Sequence, residues 1–351
     1  WAPPQLPGKQ AVVQRMLLSA AKRAGPDEDS ESPKQHRRQK ALSDDVRVDT
    51  TSAHGIEDGV KGGEGRLEGS EIDATSTLNC HPVTISAETA TPPQATLFQV
   101  QSPVAFKLYL PASDLCDVCS DVRKQGVWQP VQSFLMLSLI STALASIPNG
   151  APRPTVVDVG ANIGWFTLLA RAMDCRVIAF EPQISGKSGM ELAGTSLVAS
   201  LGANGAHFAE GVTAYGCGVG EVAGQGAIYR HGATWGLVGL KALEDGDRAM
   251  VRLTDVVQGR VAVMKVDIEG GELELIRGWD ERALVVDHVL TEVKEFNHLV
   301  VLQLMQQRGY QCRWFKESYI SRPSDIKRWR VSPDPTALLY ANDRTGLTRI
   351  Q

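Results

Sequence analysis

From residue 96 onward the chain alternates short apolar runs with longer segments of helical periodicity. The runs TVVDV (155–159), RVIAF (176–180), TAYGCG (213–218), VAVMKVD (261–267), HVLTEVK (288–294), YQCRWF (310–315) and TALLYA (336–341) are short and rich in β-branched or aromatic residues, which predicts strands. Between them, apolar positions recur at helical spacing over 163–173, 187–201, 271–278 and 297–308. A hairpin-like insert is expected through GAIYRHGATWG (226–236) and VRLTDVV (251–257). Strand–helix alternation of this kind predicts an α/β fold, a Rossmann-like and mostly parallel sheet with helices on both faces. Upstream, LFQV (97–100) and AFKLYLP (105–111) alternate like strands, and 114–147 is helical in spacing with one break at Pro130. Within it FLMLSLISTALASI (134–147) falls short of the ~18 apolar residues of a spanning helix and predicts a buried helix leading into the sheet. No membrane segment is expected in this chain.

Composition sets the boundaries. Residues 1–91 are poor in aromatics and crowded with Pro, Gly, Ser and charges of both signs, so they offer too little apolar surface to offset the entropy of ordering. The expected organisation is a mostly disordered region over 1–95, a strand and helix element over 96–150 and the sheet-bearing domain over 151–345. AVVQRMLLSAAKRA (11–24) predicts a transient helix in a solvated tail. The chain begins at Trp1, so a native start upstream is expected and localisation stays unassigned. A formal net charge of −4 gives no broad basic field, which argues against nucleic acid as a partner, and RRQK (37–40) reads as solvated. The six cysteines form no evident framework. Cys116 and Cys119 make a CDVC pair with no second pair or histidine to complete a zinc set, so ordinary thiols are expected, a disulfide being the minority case.

The chemistry gathers at predicted strand ends. VVDVGANIGWFT (156–167) is a strand, a turn with Gly160 and Gly164 four apart, and a helix start, and glycines there let a ligand approach the backbone. The next strand stops at Glu181, at the distance where such folds place the acid that grips ribose hydroxyls, with Pro182 fixing the turn. The spacing is GxxxG, not the GxGxxG of a dinucleotide site. Asp158 would sit poorly beside a pyrophosphate and well near the ammonium and sulfonium of S-adenosylmethionine. Asn162 is expected to cap the following helix and face the cofactor, with Trp165 and Phe166 as pocket walls.

The pairing of DVGANIGWFT (158–167) with KVDIEGGE (265–272) resembles the FkbM family of class I S-adenosylmethionine-dependent methyltransferases, whose pattern is DVGANxGxxT followed by KxDxEGxE. The resemblance covers roughly the second half of the chain and implies an FkbM-like domain over 151–345 with an antiparallel edge pair in its sheet. GVWQP (126–130) resembles the family's element ahead of the first strand, where an acid stands in the position of Gln129; a packing role is expected for Trp128. The resemblance further implies O-methylation of a sugar, polyketide or related small molecule. Asp267 and Glu269 share one side of an extended segment and are the first candidates for the base, Glu292 and His298 the second, and His207 and His288 are weaker. Glu272 and Glu274 read as first-turn acids that meet the helix dipole. Asp267 and Glu269 alone establish no metal cluster, so no metal ligand is assigned. The insert at 226–257, with Tyr229, His231 and Trp235, is where the acceptor is expected. The alternatives are a nicotinamide-dependent oxidoreductase and a binding-only scaffold on the same fold.

Overall fold

Strands buried on both sides read as continuous apolar runs, and GRVAVMKV is the clearest case: its last six positions are all buried. The computed structural model describes residues 80–85, 92, 94–101, 104–112, 116–184, 192–230, 238–243, 246–293, 298–315 and 344–349. In chain order they form β1 (Ala95–Val100), β2 (Phe106–Pro111), α1 (Asp117–Gln125), α2 (Pro130–Ser146), β3 (Thr155–Val159), α3 (Trp165–Ala172), β4 (Arg176–Phe180), a single 3-10 turn (Pro182–Ile184), α4 (Leu192–Ala203), α5 (Ala206–Glu210) and β5 (Val212–Tyr215). There follow β6 (Gly218–Gly220), β7 (Gly224–Arg230), β8 (Val238–Ala242), β9 (Arg248–Arg252), α6 (Leu253–Val256), β10 (Gly259–Val266), α7 (Glu272–Gly278), β11 (Leu284–Glu292), α8 (His298–Gln307), β12 (Tyr310–Phe315) and β13 (Arg344–Arg349).

Seven strands make the central sheet in the order β12-β13-β11-β10-β3-β4-β5. Pairing is parallel from β11 to β5, and β13 is antiparallel to both its neighbours, so the edge pair is antiparallel. The period of two along each strand divides the core. Val156, Val177 and Ala179 pack on one face with β2, α2, α3 and α4, while Val157, Val159 and Phe180 pack on the other with α6, α7 and α8. The strand and helix element ahead of β3 therefore shares the core of the sheet.

Several elements differ from expectation. The final strand is β13, and TALLYA lies outside the described residues, as do 1–79 with the tail helix, RRQK and the compositionally predicted disorder. The insert is a second sheet, β6-β9-β7-β8, in which β7 and β8 form the expected antiparallel pair. VRLTDVV is split between the end of β9 and α6, because Leu253 and Thr254 turn inward. No single helix among the described residues is long and apolar enough to cross a membrane. α2 lies over β10 and β11, with Leu135, Met136, Leu139 and Ile140 buried.

Four of the six cysteines correct the thiol expectation, while Cys175 and Cys312 are free thiols. Cys80 bonds Cys217 with Cα atoms 5.6 Å apart, and Cys116 bonds Cys119 at 5.2 Å across the first turn of α1, both within disulfide reach. The first link spans 137 residues of sequence, so no spacing announced it. It fixes residues 80–85 along the outer edge of β5, where Pro82 bridges Tyr215 and Val83 donates its N–H to the Ala214 carbonyl. Closing so long a loop restricts the unfolded chain, and replacing both Cys80 and Cys217 by serine is expected to cost about 2–4 kcal/mol. Urea unfolding with and without reductant checks this: reductant should lower the parent's midpoint by clearly more than the variant's, which keeps only the short Cys116–Cys119 loop.

Candidate active site

The carboxyl ends of β3, β4, β10 and β11 converge on one edge of the sheet, and parallel register decides which side chains meet there. Asp158 and Lys265 are paired neighbours on β3 and β10. Asp158 is wholly buried: one carboxylate oxygen accepts from the Thr167 hydroxyl at 2.7 Å and the other lies 3.4 Å from the Lys265 ammonium. Lys265 also donates to the Gly160 carbonyl at 2.7 Å, stands 3.8 Å from Asp267 and lies 5.4 Å from the centre of the Phe166 ring. Burial by itself would lower the Lys265 pKa, but Asp158 and Asp267 outweigh it and the net shift is upward, so the group is an ammonium. Asp158 thus holds Lys265 and, through Thr167, α3 in place.

The turn after β3 is shaped by close approach. Gly160 has φ +80°, and a Cβ on it would collide with the Asp267 carbonyl; Gly164, at φ +95°, faces Leu197 of α4 in the same way. Asn162 does not cap α3. Its own backbone is left-handed at φ +52° and its N–H donates to Glu181, while the cap position is Gly164, without a side-chain hydrogen bond. Glu181 is buried and accepts the Asn162 N–H at 2.7 Å on one oxygen and the Gln183 N–H at 2.9 Å on the other. Burial raises its pKa, and those two amides and Lys265 offset part of the rise. Pro182 opens the turn that supplies the Gln183 amide.

Asp267, Glu269 and Glu292 come together at the ends of β10 and β11, each offering a carboxylate oxygen, all within 4.8 Å of one another. Glu292 is 25 residues beyond Asp267 in sequence; the pairing of Val266 with Thr291 brings it level. Glu269 is held at φ +58°, and its carbonyl accepts from the Tyr229 hydroxyl at 3.4 Å, so the second sheet reaches the site through β7. A cavity of about 20 Å³, enough for one water-sized occupant, opens beside the cluster and is lined by Gln129, Gln132, Phe166, Lys265, Asp267 and Glu292 among others.

Glu272 is not a solvated first-turn acid. It is fully buried, and its carboxylate accepts from Gly270 at 3.0 Å and Ile268 at 3.4 Å, which pins the loop carrying Glu269. Burial pushes its pKa up from 4.5 to about 7, against the opposing pull of the Gly270 amide. The folded chain then keeps a proton that the unfolded chain releases, so the group stabilises fully below pH 4.5 and that contribution fades as pH rises through 7, a loss of about 3 kcal/mol. Glu272→Gln cannot ionise, so its stability relative to the parent should improve by about that amount between pH 4 and pH 8 in urea melts. A constant difference across that range would contradict the assignment.

The other expected residues are dispersed. Trp165 is core, donating to Ser133 and packing edge-on against Phe106, so of the two expected walls Phe166 alone lines the cavity. Trp128 packs at the edge of the core, and Gln129 is buried against the cavity with φ +41°. His288 lies four residues before Glu292, about 13 Å back along β11, and His207 is on α5. His298 opens α8; its side chain lies outside the described residues, as do His231 and Trp235. Lys265 and Gln132 were missed, although an isolated lysine inside the apolar run VAVMKV was a signal for a buried ion pair.

Asp158 and Asp267 flank the Lys265 ammonium, and Glu269 and Glu292 gather beside Asp267, an excess of negative charge that suits a cationic ligand. Residues 158–312 match the family described as Methyltransferase FkbM domain. Over that stretch the chain is similar to the FkbM methyltransferases. The FkbM match spans Asp158 to Cys312 and so includes both strand-end motifs and β11. A curated relative, Methyltransferase 1 of Beauveria bassiana (strain ARSEF 2860), is 27% identical over 220 residues, 52% of this chain and 82% of that protein. Among solved structures, the precorrin-6y C5,15-methyltransferase from Geobacter metallireducens GS-15 aligns with 61% of this chain and 86% of its own at 12% identity and a TM-score of 0.30. A SAM-dependent methyltransferase from Agrobacterium tumefaciens aligns over 62% and 60% at 11% identity and a TM-score of 0.31. The FkbM family and the sheet order support a SAM-dependent methyltransferase, and with it a methyl donor of the S-adenosylmethionine type, over the nicotinamide alternative.

Proposed function

We propose that the chain is an O-methyltransferase that uses S-adenosylmethionine to methylate a hydroxyl of a sugar or another small molecule. The observation that carries this reading is the carboxylate cluster of Asp267, Glu269 and Glu292 beside the Gly160–Gly164 turn, with Glu181 at the next strand end. Glu181 spends one acceptor site per oxygen on the Asn162 and Gln183 amides, which leaves each oxygen able to accept a ribose hydroxyl. Gly160, Asn162, Gly164 and Pro182 give the backbone its path around the adenosyl group, and Asp158 with Asp267 supplies the negative field for the donor's cationic end. When bound, S-adenosylmethionine supplies a methyl group already activated on a sulfonium.

The protein's remaining tasks are to align the acceptor, exclude water and take a proton. Asp267 or Glu269 accepts the acceptor's hydroxyl proton, with Glu292 and His298 as second choices. Tyr229 and the rest of 226–257 border the acceptor side. The unit performing the reaction is 151–345, with 96–150 supplying Gln129 and, from α2, Gln132 to the cavity.

Incubation of the full chain with methyl-labelled S-adenosylmethionine and a panel of glycans and small alcohols tests the reading, with label on an acceptor oxygen as the expected result. Glu181→Gln should weaken donor affinity about 10–100-fold, the range set by losing a charged hydrogen-bond acceptor. Tight donor binding without transfer to any acceptor would favour the scaffold alternative, and donor affinity unchanged in Glu181→Gln would remove the ribose assignment.

A further inference from the structure

We propose that Asp267, Glu269 and Glu292 form a binding site for one divalent cation of the magnesium, manganese or calcium class, set at the cavity beneath Gln132. The proposal rests on the methyl-transfer reading for its role in catalysis, and on the residues themselves for the binding. Three carboxylate oxygens from three different positions on the strand ends lie within 4.8 Å of one another. A cation with oxygens at about 2.1–2.4 Å spans about 4.2–4.8 Å between opposite ligands, so the cluster closes on it with small side-chain rotations. An all-oxygen set selects hard cations over zinc or copper.

The second observation is Gln132. It is 7% exposed, and among the described residues neither its amide nitrogen nor its amide oxygen has a hydrogen-bond partner, although it lines the same cavity as Asp267 and Glu292. A buried amide keeps both groups unpaired only where something outside the chain satisfies them. The position fits a cation's water or an acceptor oxygen bound to the cation, since the cavity holds one water-sized particle and the amide can donate and accept. Lys265 does not fill this place: its ammonium is committed to the Gly160 carbonyl and Asp158. The frame is rigid, because Glu272 pins the Ile268–Gly270 loop and parallel register fixes Glu292.

The chemistry follows from charge. A cation there binds the acceptor's hydroxyl oxygen and lowers its pKa, so the proton leaves to solvent or a neighbouring carboxylate as the new carbon–oxygen bond forms and the sulfonium's bonding pair returns to sulfur. The acceptor is then a hydroxyl compound that tolerates metal coordination at the reacting oxygen.

Titration of the full chain with Mn²⁺, read by the loss of the free-ion electron paramagnetic resonance signal, tests the site without any turnover. One Mn²⁺ per chain is expected, displaced by Mg²⁺ or Ca²⁺, with affinity at least tenfold weaker in Asp267→Asn combined with Glu292→Gln and also weakened in Gln132→Leu. Thermal melting provides the second readout. Mn²⁺ should raise the parent's midpoint and leave the double variant's unchanged. No stoichiometric uptake, or uptake that survives the double variant, overturns the proposal. Calorimetry with S-adenosylmethionine on the same sample separates the two readings. Donor binding without Mn²⁺ uptake removes the cation site alone, and Mn²⁺ uptake without donor binding removes the methyl-transfer reading alone.

Discussion

Replacing Lys265 by methionine is expected to destabilise the fold by about 3–5 kcal/mol, the cost of leaving a buried carboxylate without its counter-charge. Asp158 has no exposed surface, and Lys265 is its ionic partner at 3.4 Å. Methionine preserves the packing of the lysine stem, so the loss reports on charge more than on volume. Adding Asp158→Asn to the same chain should recover most of the loss, because the neutral amide no longer needs the ammonium. Chemical denaturation of the four members of this cycle gives the coupling directly. A single-variant loss under about 1 kcal/mol would mean that water or another group already compensates Asp158.

Loss of the strand-end carboxylates should act on turnover and spare the fold. Glu269→Gln and Asp267→Asn are each expected to lower kcat by about 10²–10⁴, the span of general-base contributions, with donor affinity within a few-fold of the parent in Glu269→Gln and weaker in Asp267→Asn, which also loses part of the field on the donor. Glu269 offers a sharper version of the same test. Its backbone sits at φ +58°, which strains any residue with a Cβ and suits glycine. Glu269→Gly should therefore fold at least as stably as Glu269→Gln while losing turnover to the same extent. Stopped turnover in a chain of undiminished stability identifies the side chain as part of the chemistry. Full activity in Glu269→Gly would take Glu269 out of the proposed reaction.

The strands of the central sheet were legible because burial on two faces leaves continuous apolar runs, and TVVDV and RVIAF coincide with β3 and β4 residue for residue. The antiparallel edge pair followed from family resemblance, yet its second member lies at Arg344–Arg349, since local pattern does not say which of two nearby runs pairs. Motif residues up to Glu181 could be placed because each sits at the end of a recognisable strand. What stayed hidden depends on register. Nothing in sequence sets Lys265 beside Asp158, or lifts Glu292 to the level of Asp267, until β3, β10 and β11 are paired. Glu272 looked like a helix-dipole acid because its spacing is the same whether it faces water or the loop behind it. Asn162 has the residue type of a cap but spends its backbone on Glu181, and the chain turns too tightly there for the side chain to serve α3.

The Cys80–Cys217 link makes a covalent ring of everything from the residues just after β5 back to the segment ahead of β1, with β3, α3 and the Glu181 turn inside it. A single protease cut anywhere within that ring leaves one molecule on a gel run without reductant and two pieces on a gel run with it. A shortened chain that starts at Ala95 has no such closure: it leaves Cys217 as a lone thiol and strips the outer margin of β5 of its neighbour. Preparations that include residue 80 are therefore the ones whose binding and turnover represent the native molecule.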